Sequence, residues 1–227
     1  MREMKRIVQV CYFLLLAGGW SLAQNNEVSF SVGPAFTTDQ KLQVDSRLPG
    51  CQIQGCTALF TFAGSTSVAF GVGYARRLAD MGPVALYVEL PVVEQPSHAL
   101  NVSTNNQTNN LAFRLFGPGH TSAFFFTPSA RIQFVPKQRI SPWITGGYGF
   151  THLSQDFSSS KHTKGAAQFG GGIDVRTLPH LVLRGEVRDF WTAGMLESNP
   201  VATLTQQTAL TSHMQHIYAG GGVVLKF

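Results

Sequence analysis

The sequence predicts an all-β protein, an eight-stranded antiparallel up-and-down transmembrane β-barrel. Two observations carry this prediction. Apolar residues alternate with small or polar residues in eight segments, and the connections between these segments are mostly short and long in turn. In membrane barrels, lipid-facing and lumen-facing residues alternate along strands that need about 9–11 residues to cross the bilayer. An even number of strands is what a bacterial single-chain barrel requires.

The first residues have the three-part layout of a secretory signal peptide. Three basic residues precede an apolar run that ends at Ala17, and a small-residue site ends at Ala23. The run is shorter than the roughly 20 residues that a membrane-spanning helix needs. We therefore expect cleavage after Ala23, with residues 1–23 as the signal peptide and residues 24–227 as one barrel domain.

Composition fits an exported β-protein and argues against one class of partner. Only 13% of the residues are charged, and the formal net charge of +5 is spread thinly along the chain. Proteins that bind nucleic acid carry a basic run or stripe, and this sequence has neither. We expect no nucleic-acid partner, and we expect much of the apolar surface to face lipid.

The eight predicted strands are separated by turn signals. In the first strand Val28, Phe30 and Val32 form one face, with small or polar residues on the other. The same alternation recurs in the remaining strands. In chain order, the predicted strands are Glu27 to Phe36, Ser65 to Leu78, Val84 to Leu90, Thr121 to Phe134, Trp143 to His152, Ala166 to Arg176, Leu181 to Trp191 and His213 to Phe227.

The connections supply the topology. The short ones are Ala79 to Pro83, Pro136 to Ser141 and Thr177 to His180. The others, mostly long and polar, are Thr37 to Gly64, Glu94 to His120, Asp156 to Lys164 and Thr192 to Ser212. Outer-membrane barrels have short periplasmic turns and longer extracellular loops, so we expect four extracellular loops and both termini in the periplasm. The structural alternative is a soluble lipocalin-like barrel, which also closes eight strands but turns its apolar faces inward.

Placing the apolar faces outward leaves a set of charged side chains in the lumen. The interior of an eight-stranded barrel is just wide enough for side chains to fill, and buried charges persist only when they are paired and hydrogen-bonded. We therefore expect a charge network that plugs the lumen, with a gate or ion path as the alternative. Its predicted members are Arg77, Glu89, Arg131, Asp174, Arg176, Arg184, Glu186 and Arg188.

Aromatic residues fall near the ends of the predicted strands. Interfacial girdles of aromatic side chains are typical of membrane barrels, so we expect these residues to lie at the two interfaces. They are Phe36, Phe134, Trp143, Phe190, Trp191 and Phe227.

Several stretches resemble strands of known barrels. Residues 168–176 (QFGGGIDVR), residues 181–190 (LVLRGEVRDF) and the glycine-rich last strand look like the last three strands of small OmpA/OmpX-type or opacity-type barrels. Residues 142–150 resemble the fifth strand of such proteins, and the terminal Phe227 resembles the sorting signal of bacterial outer-membrane proteins.

The resemblance implies location in the bacterial outer membrane after recognition by its assembly machinery. Lipid and lipopolysaccharide would surround a monomer, and the loops would meet an extracellular ligand or partner. The expected role is structural or surface interaction. A narrow pore or carrier for small hydrophobic solutes is the alternative.

Two cysteines lie in the first long connection. Cys51 and Cys56 are the only cysteines of the predicted mature chain, and in an exported protein this spacing predicts a disulfide. A zinc site would need two more ligands, and the same connection contains no other Cys or His. We expect neither a metal nor a cofactor.

One pair of residues raises the question of catalysis. His152 and Ser154 share a strand face, and their spacing resembles the catalytic pair of outer-membrane lipid A deacylases. The orienting glutamate of that family would fall about a dozen residues later, where this chain has Ala166, and Asp156 is a weak substitute. We expect no enzyme activity, with lipid hydrolysis as the less favoured alternative.

Overall fold

Nearly all of the described part of the chain is β-strand. The computed structural model describes residues 25–38, 40–46, 56–63, 66–104, 119–155, 158–193, 205–209 and 213–227. Its strands are β1 Asn26–Thr37, β2 Gln40–Ser46, β3 Cys56–Ala63, β4 Thr66–Asp80, β5 Val84–Thr104, β6 Gly119–Phe126, β7 Ser129–Phe134, β8 Ile140–Gln155, β9 Ser158–Leu178, β10 Leu181–Ala193, β11 Thr205–Ala209 and β12 His213–Lys226. Within these ranges, a helix suited to crossing a bilayer does not occur.

The strands close into a barrel. Each barrel strand pairs antiparallel with the next one along the chain, in the order β1, β4, β5, β6 with β7, β8, β9, β10 and β12. The barrel closes because β1 pairs with both β4 and β12, with Glu27 opposite Lys226 at one end and Thr37 opposite His216 at the other. The predicted eight-stranded antiparallel up-and-down barrel is confirmed.

The two ends of the barrel differ. One end, here called the turn end, carries the short connections 81–83, 135–139 and 179–180. Both ends of the described chain lie there, since the Asn26 amide donates to the Phe227 carbonyl at 3.0 Å. Gly82, with a φ of 80°, provides the left-handed backbone conformation in the first of these turns. The opposite end is here called the sheet end.

The fourth strand of the barrel is interrupted, which corrects the single strand predicted from Thr121 to Phe134. It consists of β6 and β7, and Thr127 and Pro128 between them leave the ladder. Proline has no N–H to donate, so it weakens a strand pairing wherever it occurs inside a sheet. Facing β8 accommodates the break with Gly149, where a Cβ atom would lie 2.0 Å from the Phe126 carbonyl oxygen.

The sheet end extends beyond the barrel and corrects all four predicted long loops, because β5 continues to Thr104 and β9 already begins at Ser158. The first long connection contains the hairpin of β2 and β3, and the last contains β11. These strands form a sheet in the order β11, β2, β3, β5, in which β3 pairs with Asn101 to Thr104 of β5. Pairing satisfies backbone groups that a loop would leave to water. Leu42 and Val44 alternate with polar residues in β2, a weak period-2 signal in the sequence.

Apolar side chains cover the outside of the barrel. This orientation agrees with the predicted membrane barrel and is the reverse of that in a soluble lipocalin-like barrel. Exposed members from all around the wall include Phe30, Val32, Phe70, Val72, Val88, Ile132, Ile144, Tyr148, Phe169, Ile173, Leu183, Val187, Ile217 and Val223.

Four of the six aromatic residues predicted to lie at the interfaces face outward, and the other two do not. Phe36, Phe134, Trp191 and Phe227 are exposed on the outer surface near strand ends. Trp143 and Phe190 are each only 1% exposed and lie inside the barrel. Both occupy inward positions of the two-residue period, which decides orientation more strongly than proximity to a strand end.

Candidate functional site

Eight charged side chains meet inside the barrel at the turn-end half. They come from inward positions of six strands, because the two-residue period turns every second side chain toward the lumen. Four are carboxylates and four are cations, so the group is formally neutral. This lumen cluster consists of Glu27, Glu89, Arg131, Asp174, Arg184, Glu186, Arg188 and Lys226.

Arg131 lies at the centre of the lumen cluster and is completely buried. Its guanidinium forms a close ion pair with Glu27 and lies 3.2 Å from Glu89 Oε1 and 3.9 Å from Asp174 Oδ2. The same group stacks over the Tyr87 ring, 4.2 Å from the ring centroid. A charge held this way keeps favourable interactions in place of the water that burial removes.

Arg184 links the carboxylates from the β10 side. Its Nε and Nη2 atoms each donate to Asp174 at 2.8 Å, a bidentate arrangement that is geometrically specific. Arg184 also lies 3.5 Å from Glu27 and 3.8 Å from Glu89. Lys226 approaches the second oxygen of Glu27 at 2.8 Å. Glu27 therefore receives three cations although it was not among the predicted network members.

Arg188 and Glu186 extend the lumen cluster toward the sheet end. Arg188 Nε donates to Glu186 Oε2 at 2.9 Å, and Arg188 Nη2 lies 3.6 Å from Glu89 Oε2. The Ser31 hydroxyl donates to the other oxygen of Glu186 at 2.7 Å. Each carboxylate of the lumen cluster thus has at least one cationic partner.

Trp143 provides an aromatic surface for the arginines. The guanidinium carbons of Arg184, Arg188 and Arg131 lie 5.0, 5.5 and 5.7 Å from a ring centroid of the indole. Its Nε1–H donates to Asp174 Oδ1 at 3.0 Å. Cations over an indole face are attracted by the ring quadrupole, most strongly where water is excluded. Trp143 therefore belongs to the site and not to an interface.

The structure brings together six of the eight residues predicted for the network. Two predictions need correction: Arg77 and Arg176 lie at the turn-end mouth. Arg77 Nη2 donates to Asn25 Oδ1 at 2.9 Å, and Arg176 Nη2 donates to the Pro136 carbonyl at 2.7 Å. Both are close to strand ends, so the correct face does not bring them to the level of the lumen cluster. The six are Glu89, Arg131, Asp174, Arg184, Glu186 and Arg188.

Three members of the site escaped the sequence prediction. Glu27 lies at the start of the first barrel strand and Lys226 at the end of the last one. Only their alternation with the outward Val28 and Leu225 marks them as inward. Trp143 has the same inward parity relative to Ile144. Strict application of the two-residue period would have found all three.

An apolar layer follows the lumen cluster toward the sheet end. Its aromatic members Phe125 and Phe190 stack with ring centroids 4.5 Å apart. Beyond it, Gln95 Nε2 donates to Ser67 Oγ at 2.8 Å, and the His216 ring lies 5.0 Å from that of Phe125. The apolar layer consists of Ala35, Ala69, Val93, Ala123, Phe125, Leu153, Ala166, Phe190 and Tyr218.

The candidate catalytic pair lies on the outer face near the sheet end. His152 Nδ1 is 3.1 Å from the Thr163 hydroxyl oxygen. Ala166, at the position expected for an orienting carboxylate, is buried on the opposite, inward face. Asp156 lies outside the described residues. A barrel fold alone decides neither for nor against catalysis, since function resides in individual sites.

Other sequence predictions are only partly covered by the structure. The signal peptide, residues 1–23, and Cys51 lie outside the described residues, so the cleavage and the disulfide to Cys56 stay predictions. Phe227 ends the barrel seam, where its amide donates to the Asn26 carbonyl at 3.0 Å. Among the described residues, no three His, Cys, Asp or Glu side chains are placed to hold a metal ion.

Comparison with known proteins gives a match to solved folds. No protein-family profile matches the chain. No curated protein sequence matches it either. Neisserial surface protein A (NspA) superposes with a TM-score of 0.50 at 12% identity, over 91% of this chain and 100% of that one. The outer membrane protein OprG from Pseudomonas aeruginosa gives 0.49 at 14% identity, over 90% and 97%. The outer membrane protein AlkL gives 0.43 at 15% identity, over 93% and 95%. At such identities the likeness concerns the fold, and this chain has the fold of the small eight-stranded outer-membrane β-barrels.

Proposed function

We propose that this protein is an outer-membrane barrel that does not conduct ions and acts at the cell surface through its sheet end. The observation that carries the proposal is the lumen cluster, which joins six strands across the interior with Arg131 completely buried at its centre. The proposed role is structural or one of surface interaction, and the barrel anchors the sheet end in the membrane.

The outer surface supports placement in a membrane. Exposed large apolar side chains occur on every barrel strand except short β6, whose outward phenylalanines are half-buried. Soluble monomers rarely expose contiguous apolar patches larger than a few hundred Å². In a membrane, the hydrocarbon layer would cover the apolar side chains that surround this barrel. Short turns face the periplasm in outer-membrane barrels, which supports a sheet end that faces outside the cell.

The lumen cluster supports a closed interior. Opening an ion path would require separating Arg131 or Arg184 from carboxylates that lie within 4 Å of them on several sides. Breaking a buried ion pair by removing one partner costs about 3–5 kcal/mol. Displacing a guanidinium from several partners at once is at least comparable, so the closed arrangement dominates.

The sheet end supports a role in surface interaction. The barrel strands β5 and β9 each have 21 residues, about twice the number needed to cross the bilayer. The excess projects past the barrel wall and, for β5, pairs with β3. An ordered sheet standing above the membrane offers a fixed surface to an extracellular partner, in contrast to a set of short loops.

Conductance measurement tests the closed interior. The refolded mature chain is added to a planar bilayer at neutral pH, with a 16-stranded porin as positive control. We expect no stepwise current from the wild-type barrel. Discrete steps from the wild type that change in size in the Arg184→Gln and Glu186→Gln variants would overturn the proposal and support a pore.

Epitope accessibility tests the orientation. One variant carries a short peptide epitope in the segment 47–55 between β2 and β3, and a matched control carries it in the turn 81–83. On intact cells we expect an antibody to label the first variant only. Labelling of the control alone would place the sheet end in the periplasm and refute the surface role.

A second candidate is a carrier for small hydrophobic solutes, favoured by the apolar layer. This layer lies on the sheet-end side of the lumen cluster, and the pairing beside it is interrupted at Thr127 and Pro128, opposite Leu90 and Pro91 of β5. A solute stopped by the lumen cluster would have to leave sideways through this interruption. Faster entry of an apolar dye into liposomes that contain the barrel, slowed by Phe125→Asp, would support the carrier.

A further inference from the structure

The turn end carries an uneven charge distribution. Among the described residues, five cationic side chains and one carboxylate side chain, Asp80, lie around its mouth, apart from the lumen cluster. Lys137, with a side chain that is 75% exposed, lies 3.8 Å from Asp80, and Arg77 lies 3.6 Å from the same carboxylate. The set of cations is here called the basic arc: Arg76, Arg77, Lys137, Arg139 and Arg176.

The basic arc is continuous because backbone hydrogen bonds join its segments. The Val135 amide donates to the Pro83 carbonyl at 2.7 Å, which ties the turn 135–139 to the turn 81–83. The Arg176 amide donates to the Arg139 carbonyl at 2.8 Å, which ties that turn to β9. The cations therefore follow one side of the rim, from β4 to β9.

The other side of the rim is poorer in charge. Among the described residues there, His180 Nδ1 lies 3.1 Å from the Lys226 carbonyl oxygen, and the Lys226 ammonium belongs to the lumen cluster. Charge on the described rim is thus concentrated on the basic arc, which gives the turn end a directed positive potential.

Exposed apolar side chains border the basic arc. Leu78, Met81, Ile140 and Leu178 are 58%, 61%, 56% and 59% exposed. Arg76 projects from the outer face of β4 between Tyr74 and Leu78 and is exposed, with no ion pair to another described residue. A surface that is apolar and cationic side by side matches the boundary between acyl chains and headgroups, where long basic side chains reach the polar layer.

The chemistry of that boundary identifies the partner. An outward arginine is strongly unfavourable at the bilayer midplane and nearly neutral close to the interface, so Arg76 is suited to an interfacial anion. Guanidinium groups bind phosphate oxygens with paired N–H donors. We propose that the basic arc binds the phosphate groups of anionic phospholipid in the periplasmic leaflet, an inference that rests on the proposed membrane placement and orientation.

Lipid selectivity provides the test. The mature chain is refolded into vesicles of equal parts phosphatidylglycerol and phosphatidylethanolamine, extracted gently, and its retained lipids are counted by native mass spectrometry. A cation near an anionic membrane surface contributes about 1 kcal/mol, or roughly five-fold in affinity. We expect phosphatidylglycerol enrichment in the wild type and a fall of about five-fold for each arc cation removed in Arg76→Gln, Lys137→Gln and Arg139→Gln variants.

A matched control removes the same number of charges at the sheet end. It carries Lys41→Gln, Lys161→Gln and Lys164→Gln, and it should keep the enrichment of the wild type. Equal enrichment in the arc variants and the wild type, or an equal loss in the control, would overturn the inference. Binding of an acidic protein in place of lipid would appear as an unenriched wild type and would overturn it as well.

Heat-modified gel mobility distinguishes a failure of lipid binding by the basic arc from a failure of the proposed function. A folded, vesicle-inserted barrel without phosphatidylglycerol enrichment contradicts the basic arc as a lipid site and leaves the proposed function standing. Failure to insert into vesicles of any composition contradicts the proposed function itself. All three substituted arc residues are exposed, so the variants should fold, and the same gel verifies it.

Discussion

Replacing Arg131 with methionine should destabilise the barrel strongly. Methionine fills a similar volume and removes the cation that faces Glu27, Glu89 and Asp174. The lumen cluster would then hold four carboxylates and three cations, with Glu27 and Glu89 each short of a partner. We expect Arg131→Met to lower the free energy of unfolding by about 3–5 kcal/mol, the range measured when one member of a buried ion pair is removed.

A compensating variant tests whether charge or packing is responsible. In the double variant Arg131→Met with Glu27→Gln, the lumen cluster regains formal neutrality, and an apolar or amide replacement of a buried pair is often close to neutral in stability. More than half of the lost stability should return. The exposed Arg139→Met is the matched single control and should stay within about 0.5 kcal/mol of the wild type.

Equilibrium urea unfolding in lipid vesicles is the assay. The fluorescence of Trp143 reports the unfolding of the lumen cluster, because its indole lies beside three arginines of the cluster and is buried. Heat-modified mobility confirms that each variant starts folded. If Arg131→Met unfolds at the same urea concentration as Arg139→Met, the lumen cluster does not stabilise the barrel and the reasoning fails.

Three further predictions concern other parts of the chain. Gly149→Val should prevent folding, since its Cβ atom would lie 2.0 Å from a backbone oxygen, while Gly185→Val, with nothing within 4 Å, should fold normally; gel mobility distinguishes them, and a folded Gly149→Val barrel contradicts the packing. Deleting Phe227 should reduce the amount of barrel in the outer membrane of cells without changing refolding into vesicles, and equal cellular amounts would disprove a sorting role. Intact mass of the secreted chain after alkylation should show a start at Gln24 and two alkylated cysteines only after reduction, whereas alkylation without reduction would exclude the disulfide between Cys51 and Cys56.

The sequence predicted the barrel well because one physical rule governs most of it. A barrel wall that separates lipid from a lumen imposes a two-residue period on each strand. That period can be recognised in the sequence without knowledge of tertiary contacts. The same rule placed Arg131, Asp174 and Arg184 inside. Prediction failed where strand ends had to be judged, as with Arg77 and Arg176, because parity gives a residue's face and not its height along the barrel.

The sheet beyond the barrel was harder to predict for a different reason. Residues of β2 and β11 pair with each other although they are far apart in the sequence, and they lie outside the closed barrel wall. The seven residues of β2 and the five of β11 carry little apolar alternation. Pairing partners at such separations are set by tertiary contacts, which override local propensity. The break at Pro128 could have been inferred, since proline inside a predicted strand interrupts its ladder.

The composition of the lumen cluster has a consequence for how the barrel assembles. Glu27 and Lys226 lie near opposite ends of the chain and meet only when β1 pairs with β12. Until that seam forms, Glu27 lacks a neighbouring cation supplied by the last strand, so the final neutralisation coincides with the final pairing. Contacts of such long sequence separation form slowly, and once formed they must break together before the seam can part. The seam therefore couples closure of the barrel to completion of the lumen cluster, so that neither can open without the other.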